Sequence, residues 1–298
     1  MAKIAVNSNR DDGVRGTTAR IIAAGRGWAV SEVVCTLGPR DRPFEERHSG
    51  VSIAMVTGGT FTYRSHAGSE LMTPGSLLLG GAGQPFECSH DHGAGDRCIA
   101  FSYSPEYFGA LEVAPAFRAL RVPPLRALSP LHAVAEAALN GAAEISWEEL
   151  AIEVAVRAST LDRGLPAEPA MSSAAAEARV ARIVREIDHA PDAPLELDAM
   201  ARAARLSPYH FLRIFREVAG VTPHQHLLRR RLHRAALHLA GEPSKIVEIA
   251  FASGFGDVSN FNRAFRSEFG VSPRAWRRSL APAAISPAAH SGPAHLEQ

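Results

Sequence analysis

The chain of 298 residues has the length for about two domains, each with its own core. Its 46% hydrophobic, 21% charged and 7% aromatic residues are those of an ordinary soluble protein. No run approaches the roughly 18 apolar residues of a membrane helix. The opening Met1 to Asn7 passes into Ser8-Asn9-Arg10 without a signal-type apolar region, and three cysteines (Cys35, Cys88, Cys98) are too few for a disulfide framework, so a cytoplasmic protein with no membrane partner is expected.

Residues 1–20 are polar and expected to be frayed. From Trp28 to about Tyr103, short apolar or alternating runs (VSEVVCTL, VSIAMVTGGTFTYR, GSLLLGGAG, PFECSH, RCIAFSY) are divided by glycines, which predicts an all-β sandwich or barrel. Within this stretch, extended geometry sets Cys88, His90 and His92 on one strand face, and a turn at Gly93-Ala94-Gly95 is expected to bring Cys98 back beside them. Thiolate and imidazole donors suit a zinc-like metal, the candidate cofactor. Three plainer readings stand beside it: buried cysteines that only pack, Asp96 and Arg97 that only pin a hairpin, or a Cys88–Cys98 redox pair.

Between Pro105 and Arg163 the period becomes helical in LHAVAEAALNG and WEELAIEVAVRASTLDRG. Their apolar stripes are expected either to pair two subunits or to cover the barrel. A Pro, Ser and Ala-rich linker follows, then helices to about residue 281, and residues 282–298 read as a disordered tail. The formal net charge of +1 conceals an asymmetry, because residues 201–280 hold 14 Lys and Arg against 5 Asp and Glu, a balance of +9 against −8 for the rest. Such a segment is built to meet phosphates, or is a solvated arginine face.

The basic segment is duplicated. Residues 211–223 (FLRIFREVAGVTP) and 261–273 (FNRAFRSEFGVSP) share 7 of 13 positions. Each unit reads as short helix, tight turn, second helix, glycine stop and a capped restart. Ser207, Thr222 and Ser272 are N-caps before a proline at the first helical position, and Gly220 and Gly270 are left-handed stops. Phe211 and Phe215, like Phe261, Phe265 and Phe269, recur at i+4 and mark the packed face. The opposite face presents Tyr209, Leu212, Arg213 and Arg216 in the first unit and Ser259, Asn260, Asn262, Arg263 and Arg266 in the second. Guanidinium, amide and hydroxyl groups on one short helix are what base edges and phosphates require. His224 and His226, among arginines, are expected to be solvated or phosphate-facing. There is no G-x-S-x-G, and no glycine-rich phosphate loop follows a predicted strand.

Residues 195–280 closely resemble the DNA-binding domain of AraC/XylS-type transcription regulators, two helix-turn-helix units joined by a long helix, here residues 223–240. The resemblance rests on Ile249-Ala250, Gly254-Phe255, Phe261, Arg263, Phe265, Phe269-Gly270 and Ser272-Pro273. It implies that the second helix of each unit enters the major groove, with Tyr209, Leu212, Arg213, Val258, Ser259, Asn260, Asn262 and Arg263 facing bases. Arg205 departs from the pattern, standing where the second unit has Gly254; if positive φ is needed there, arginine costs about 1 kcal/mol relative to glycine.

Residues 28–165 resemble the cupin-type barrel found upstream of this domain, although the His-x-His of cupin metal sites is missing. The expected architecture is therefore an α+β two-domain chain. A cupin-like effector-sensing and dimerisation domain occupies residues 1–165 with its accessory helices, a linker 166–176, and an all-α double helix-turn-helix domain 177–281. The expected function is sequence-specific transcription regulation under a small effector, without enzymatic activity. Double-stranded DNA and a second copy are the expected partners, with RNA polymerase added if it activates. A metal or thiol redox sensor on the same scaffold, or a cupin enzyme fused to a DNA-binding module, are the alternatives.

Overall fold

The computed structural model describes residues 16–43, 45–90, 93, 95–113, 116–166, 172–194 and 196–280, and none of their helices is long and apolar enough to cross a membrane. The N-terminal half is built from strands β1 (Thr17–Gly25), β2 (Trp28–Cys35), β3 (Glu45–Arg47), β4 (Val51–Gly59), β5 (Phe61–Ser65), β6 (Gly68–Met72), β7 (Leu77–Gly80), β8 (Pro85–Ser89), β9 (Asp96–Tyr103) and β10 (Arg121–Val122), with helices α1 (Pro105–Ala110), α2 (Ser129–Leu139) and α3 (Trp147–Asp162). All pairings are antiparallel, in a six-stranded sheet ordered β1-β2-β9-β4-β7-β10 and a four-stranded sheet ordered β3-β8-β5-β6. Strand β1 begins in the segment expected to fray, its first four residues lying within 1–20. Its TTARIIAAG is alanine-rich and mostly exposed, as suits an edge strand that β2 alone holds.

Alternation explains the two layers. Ile53, Met55, Ile99, Phe101 and Tyr103 join one core with helices α1–α3, whereas Ala54, Val56 and Cys98 belong to the core between the sheets. Leu150, Ala151, Val154, Ala155 and Ala158 of α3 are buried in the first of these, and Ala133 and Ala137 of α2 in a C-terminal core. The stripes are thus covered within the chain. Tyr103 donates to Ala151 O at 2.7 Å, and the buried Asp162 carboxylate accepts from the Arg118 and Ala119 amides at 2.8–3.1 Å, which anchors α3 at both ends.

The C-terminal half consists of α4 (Ala174–His189), α5 (Leu197–Ala203), α6 (Pro208–Ala219), α7 (Pro223–Gly241), α8 (Ile246–Ala252), α9 (Val258–Phe269) and α10 (Pro273–Leu280). Helix α4 begins three residues before the expected boundary at 177, because Ser173 accepts from the Ala176 amide as its cap. The expected tail, residues 282–298, lies outside the described residues, as does residue 281. Ser207, Thr222 and Ser272 accept from the amides of His210, Gln225 and Ala275, and Thr222 with Gln225 forms a full capping box. Helices α4–α6 and Leu227 enclose one core; α8–α10 and the rest of α7 enclose a second.

The two turns differ for a physical reason. Arg205 has φ 56° and is exposed, whereas Gly254 has φ 85° and faces a wall. A Cβ at Gly254 would lie 2.7 Å from Asp192 Cα and 3.0 Å from Arg231 Nε. The first turn tolerates a side chain at the cost of left-handed strain, and the second has no room for one. Arg205→Gly is expected to stabilise the chain by about 0.5–1 kcal/mol in denaturant unfolding, and Gly254→Ala to destabilise it by more than that.

His132 on α2 and His226 on α7 are both buried with Nε2 unpartnered. His226 packs edge-on to Phe215 and is buried, which corrects the expectation of a solvated or phosphate-facing residue. Burial, reinforced at both by the Arg230 guanidinium and at His226 also by Arg229, pushes both pKa values down to about 3. In the unfolded chain each takes a proton near pH 6.5, so their contribution to stability is complete above that pH. It is lost as pH falls toward 3, by about 1.4 kcal/mol per unit and histidine. Unfolding titrations between about pH 4 and pH 8 are expected to show this slope, and His226→Leu to reduce it.

Candidate nucleic-acid interface and barrel cavity

The two helices that follow the turns, α6 and α9, present their expected faces to solvent. On α6, Phe211, Ile214, Phe215 and Val218 are buried, while Tyr209 (81% exposed), Leu212, Arg213 and Arg216 point outward. On α9, Phe261, Phe265, Glu268 and Phe269 are inward and Ser259, Asn260, Asn262, Arg263 and Arg266 outward, with Val258 half-buried at the edge. Arg263 Nη2 donates to Asn260 Oδ1 at 3.1 Å, and Arg213 lies 3.5 Å from Glu217. The first contact sets an amide and a guanidinium side by side, the pair of groups suited to adenine and guanine edges. The N-termini differ in charge: a hydroxyl caps α6, whereas the Asp257 carboxylate accepts from Ser259 and Asn260 amides on α9. A phosphate approaching the start of α6 meets an open dipole; at α9 the acid is already there.

The backs of both units rest on the N-terminal half. Leu71 of β6 belongs to the first helical core. Gly220, the left-handed stop of α6 at φ 74°, sits so close to Pro123 that a Cβ would fall 2.5 Å from the proline Cβ. At the second unit, Ser129 donates to Glu268 at 2.5 Å, Arg126 to Ser267 at 3.3 Å, and His233 meets Glu136 at 2.9 Å. The polar faces of α6 and α9 stay clear of these contacts.

Between the sheets lies a cavity of about 220 Å³. It is smaller than the roughly 300–1,000 Å³ of drug-sized pockets and has room for a small effector. Its lining is mixed: Ala54, Leu78 and Ala100 with Cys35, Cys88, Cys98, His48, His90 and Asp96. His48 is stacked on Phe86 and hydrogen-bonded to Tyr63 at 2.9 Å, and burial lowers its pKa to about 4.

Cys88, His90 and Cys98 all face this space, while His92 lies outside the described residues. Strands β8 and β9 are not a hairpin; they belong to opposite sheets, so Cys88 and Cys98 face each other across the cavity instead of along a ladder. The donor atoms that come together are those of Cys35, His90 and Asp96, with Cys98 Sγ 3.5 Å from Asp96. Burial pushes the Cys88 and Cys98 thiols up, and the Asp96 carboxylate adds to it. At Cys35 burial is outweighed by hydrogen bonds from His90 and Thr17, so its thiol lies below the ordinary value. Sequence reading missed Cys35 and the role of Asp96, because their meeting depends on the β2–β9 register, in which they are directly paired.

A helix-turn-helix domain model matches residues 200–279. Among curated relatives, the HTH-type transcriptional regulator MtrA of Neisseria gonorrhoeae is 29% identical over 34% of this chain and 33% of its own length. The Transposon Tn10 TetD protein of Escherichia coli is 37% identical over 31% of this chain and 67% of its own. The chain thus spans only a third of the first of these relatives. The crystal structure of an AraC-type DNA-binding domain protein from Chromobacterium violaceum aligns over 37% of this chain and 97% of that one, at 28% identity and a TM-score of 0.34. With a helix-turn-helix domain matched over residues 200–279, and a 37% identical relative covered over two thirds of its length, the chain belongs to the AraC-type family of helix-turn-helix regulators.

Proposed function

We propose that the protein is a sequence-specific DNA-binding transcription regulator, with residues 177–281 on the DNA and a small effector held in the barrel of residues 1–165. The observation that carries this reading is the duplication of one unit with the same outward register on α6 and α9, so that two polar helix faces are exposed. Tyr209, Leu212, Arg213 and Arg216 of α6, with Val258, Ser259, Asn260, Asn262, Arg263 and Arg266 of α9, are its DNA-contacting residues. A second copy of the chain is its expected partner, doubling the number of units on an operator, and RNA polymerase joins if the bound protein activates.

The contacts between the barrel and the backs of both units supply the route for control. An effector that reshapes the cavity biases Leu71 and Pro123 against the first unit and Ser129 and Glu136 against the second.

Affinity for genomic fragments is expected to fall steeply with salt, as counterions leave the phosphates that arginines neutralise; absence of binding at low salt on all fragments overturns the reading. Arg213→Ala and Arg263→Ala are each expected to cost about 1–3 kcal/mol and to relax base preference at one position, measured by binding to a randomised duplex. A loss uniform across sequences assigns them to phosphates instead. Footprints are expected as two patches about 34 Å apart on one DNA face for each chain.

A further inference from the structure

The cavity contains a side-chain cluster for which neither packing nor DNA contact has a use. Cys35 ends β2, Asp96 begins β9, and His90 follows β8 of the facing sheet, so three strands deliver three different donors to one point. The Cys35 Sγ, a His90 ring nitrogen and an Asp96 carboxylate oxygen all lie within 4.8 Å of one another. The side chains of His90 and Asp96 are 2% and 7% exposed, and Cys35 is buried beside them.

We propose that Cys35, His90 and Asp96 form a binding site for a thiophilic divalent cation of the zinc class. A sulfur and an imidazole select such an ion over magnesium or calcium, which prefer oxygen cages. His90 Nε2 and Asp96 Oδ1 stand 2.5 Å apart, a distance bridged by one proton. Ligands on a tetrahedral zinc with bonds of about 2.0–2.1 Å are separated by about 3.3 Å. The ion therefore enters by replacing the bridging proton and the Cys35 thiol proton, both of which leave to solvent, and by spreading the pair slightly. Three protein donors leave a fourth position for a water or a ligand in the cavity.

The site adjoins the DNA-binding half. Gly93, between two of the ligands in sequence, packs so tightly on α4 that a Cβ there would lie 2.5 Å from Arg185 Nη1, and the same nitrogen donates to Thr60 at 3.2 Å. Spreading His90 from Asp96 presses on that contact, which makes the ion an effector of the proposed regulator; this part of the inference rests on the function proposed above.

The test uses the full chain, stripped with chelator and titrated with Co²⁺ and Zn²⁺. About one ion per chain is expected, with a thiolate-to-cobalt charge-transfer band in the near ultraviolet. Cys35→Ser and the near-isosteric Asp96→Asn are expected to abolish the band or weaken Zn²⁺ binding at least about tenfold, while Cys88→Ser, in the same cavity, retains both. Thermal unfolding of each variant in chelator identifies any that fails to fold, and Asp96→Asn then carries the test. No band, or a band that survives Cys35→Ser, overturns the site. The effector role is read separately, as a shift of severalfold in affinity for a bound genomic fragment between Zn²⁺ and chelator, absent in Cys35→Ser. Equal affinities with the ion bound overturn that role alone, and failure to bind DNA in either condition overturns the proposed function while the cobalt band still decides the site.

Discussion

Helix α7 is the member on which the C-terminal half depends, because both cores close against it. Leu227 near its start belongs to the core of the first unit, and Leu232, Ala235, Ala236 and Leu239 to that of the second. Neither core closes without it. Its arginines serve the same end: Arg229 reaches Glu268, Arg230 reaches Asp188, Arg231 donates to the Pro191 and Ala193 carbonyls and Arg234 to Asp192. Four arginines of one helix are thus engaged within the chain, joining α9 on one side and α4 with the α4–α5 connection on the other, the Arg229 and Arg230 pairs largely buried and the Arg234 pair exposed. The Arg229–Glu268 and Arg230–Asp188 pairs, largely buried, add little net stability against hydrophobic replacements, but losing one partner leaves a buried charge, so they fix the geometry strongly.

The same helix ties the domains together. His233 of α7 meets Glu136 of α2, and Arg229 shares the Glu268 carboxylate with Ser129, so a single acid connects α7, α9 and the start of α2. The N-terminal half therefore contacts both units from behind, through Leu71, Pro123 and the Arg185–Thr60 hydrogen bond at the first, and through Ala133, Ala137 and the hydrogen bonds of Ser129, Arg126 and Glu136 at the second.

Much of this was legible because it is local. A serine or threonine before proline fixes a helix start, a glycine at φ near 75° fixes its end, and phenylalanines four apart fix its buried face, all within one unit of the repeat. Arg205 against Gly254 was legible as a difference, and its reason became visible only with Asp192 and Arg231 in place. What sequence could not deliver was pairing between distant strands. Cys35 and Asp96 meet by register, His90 arrives from the opposite sheet, and His92, chosen by alternation, lies outside the described residues. The charge asymmetry was read correctly as a sum and incompletely in meaning. The α7 arginines Arg229, Arg230, Arg231 and Arg234 are tied to partners within the chain, whereas Arg213, Arg216, Arg263 and Arg266 are exposed on α6 and α9.

The capping box at Thr222 and the shared cores make α7 a rigid ruler between the two polar faces. An α-helix advances about 1.5 Å and turns about 100° per residue. Inserting one residue in α7 would therefore swing the second face a quarter-turn or more away from the first, long before it altered their separation usefully. On the proposed function, the spacing of contacts along a duplex is consequently fixed by the length of this rod, and change of target runs through the side chains of α6 and α9 while the rod between them keeps its length.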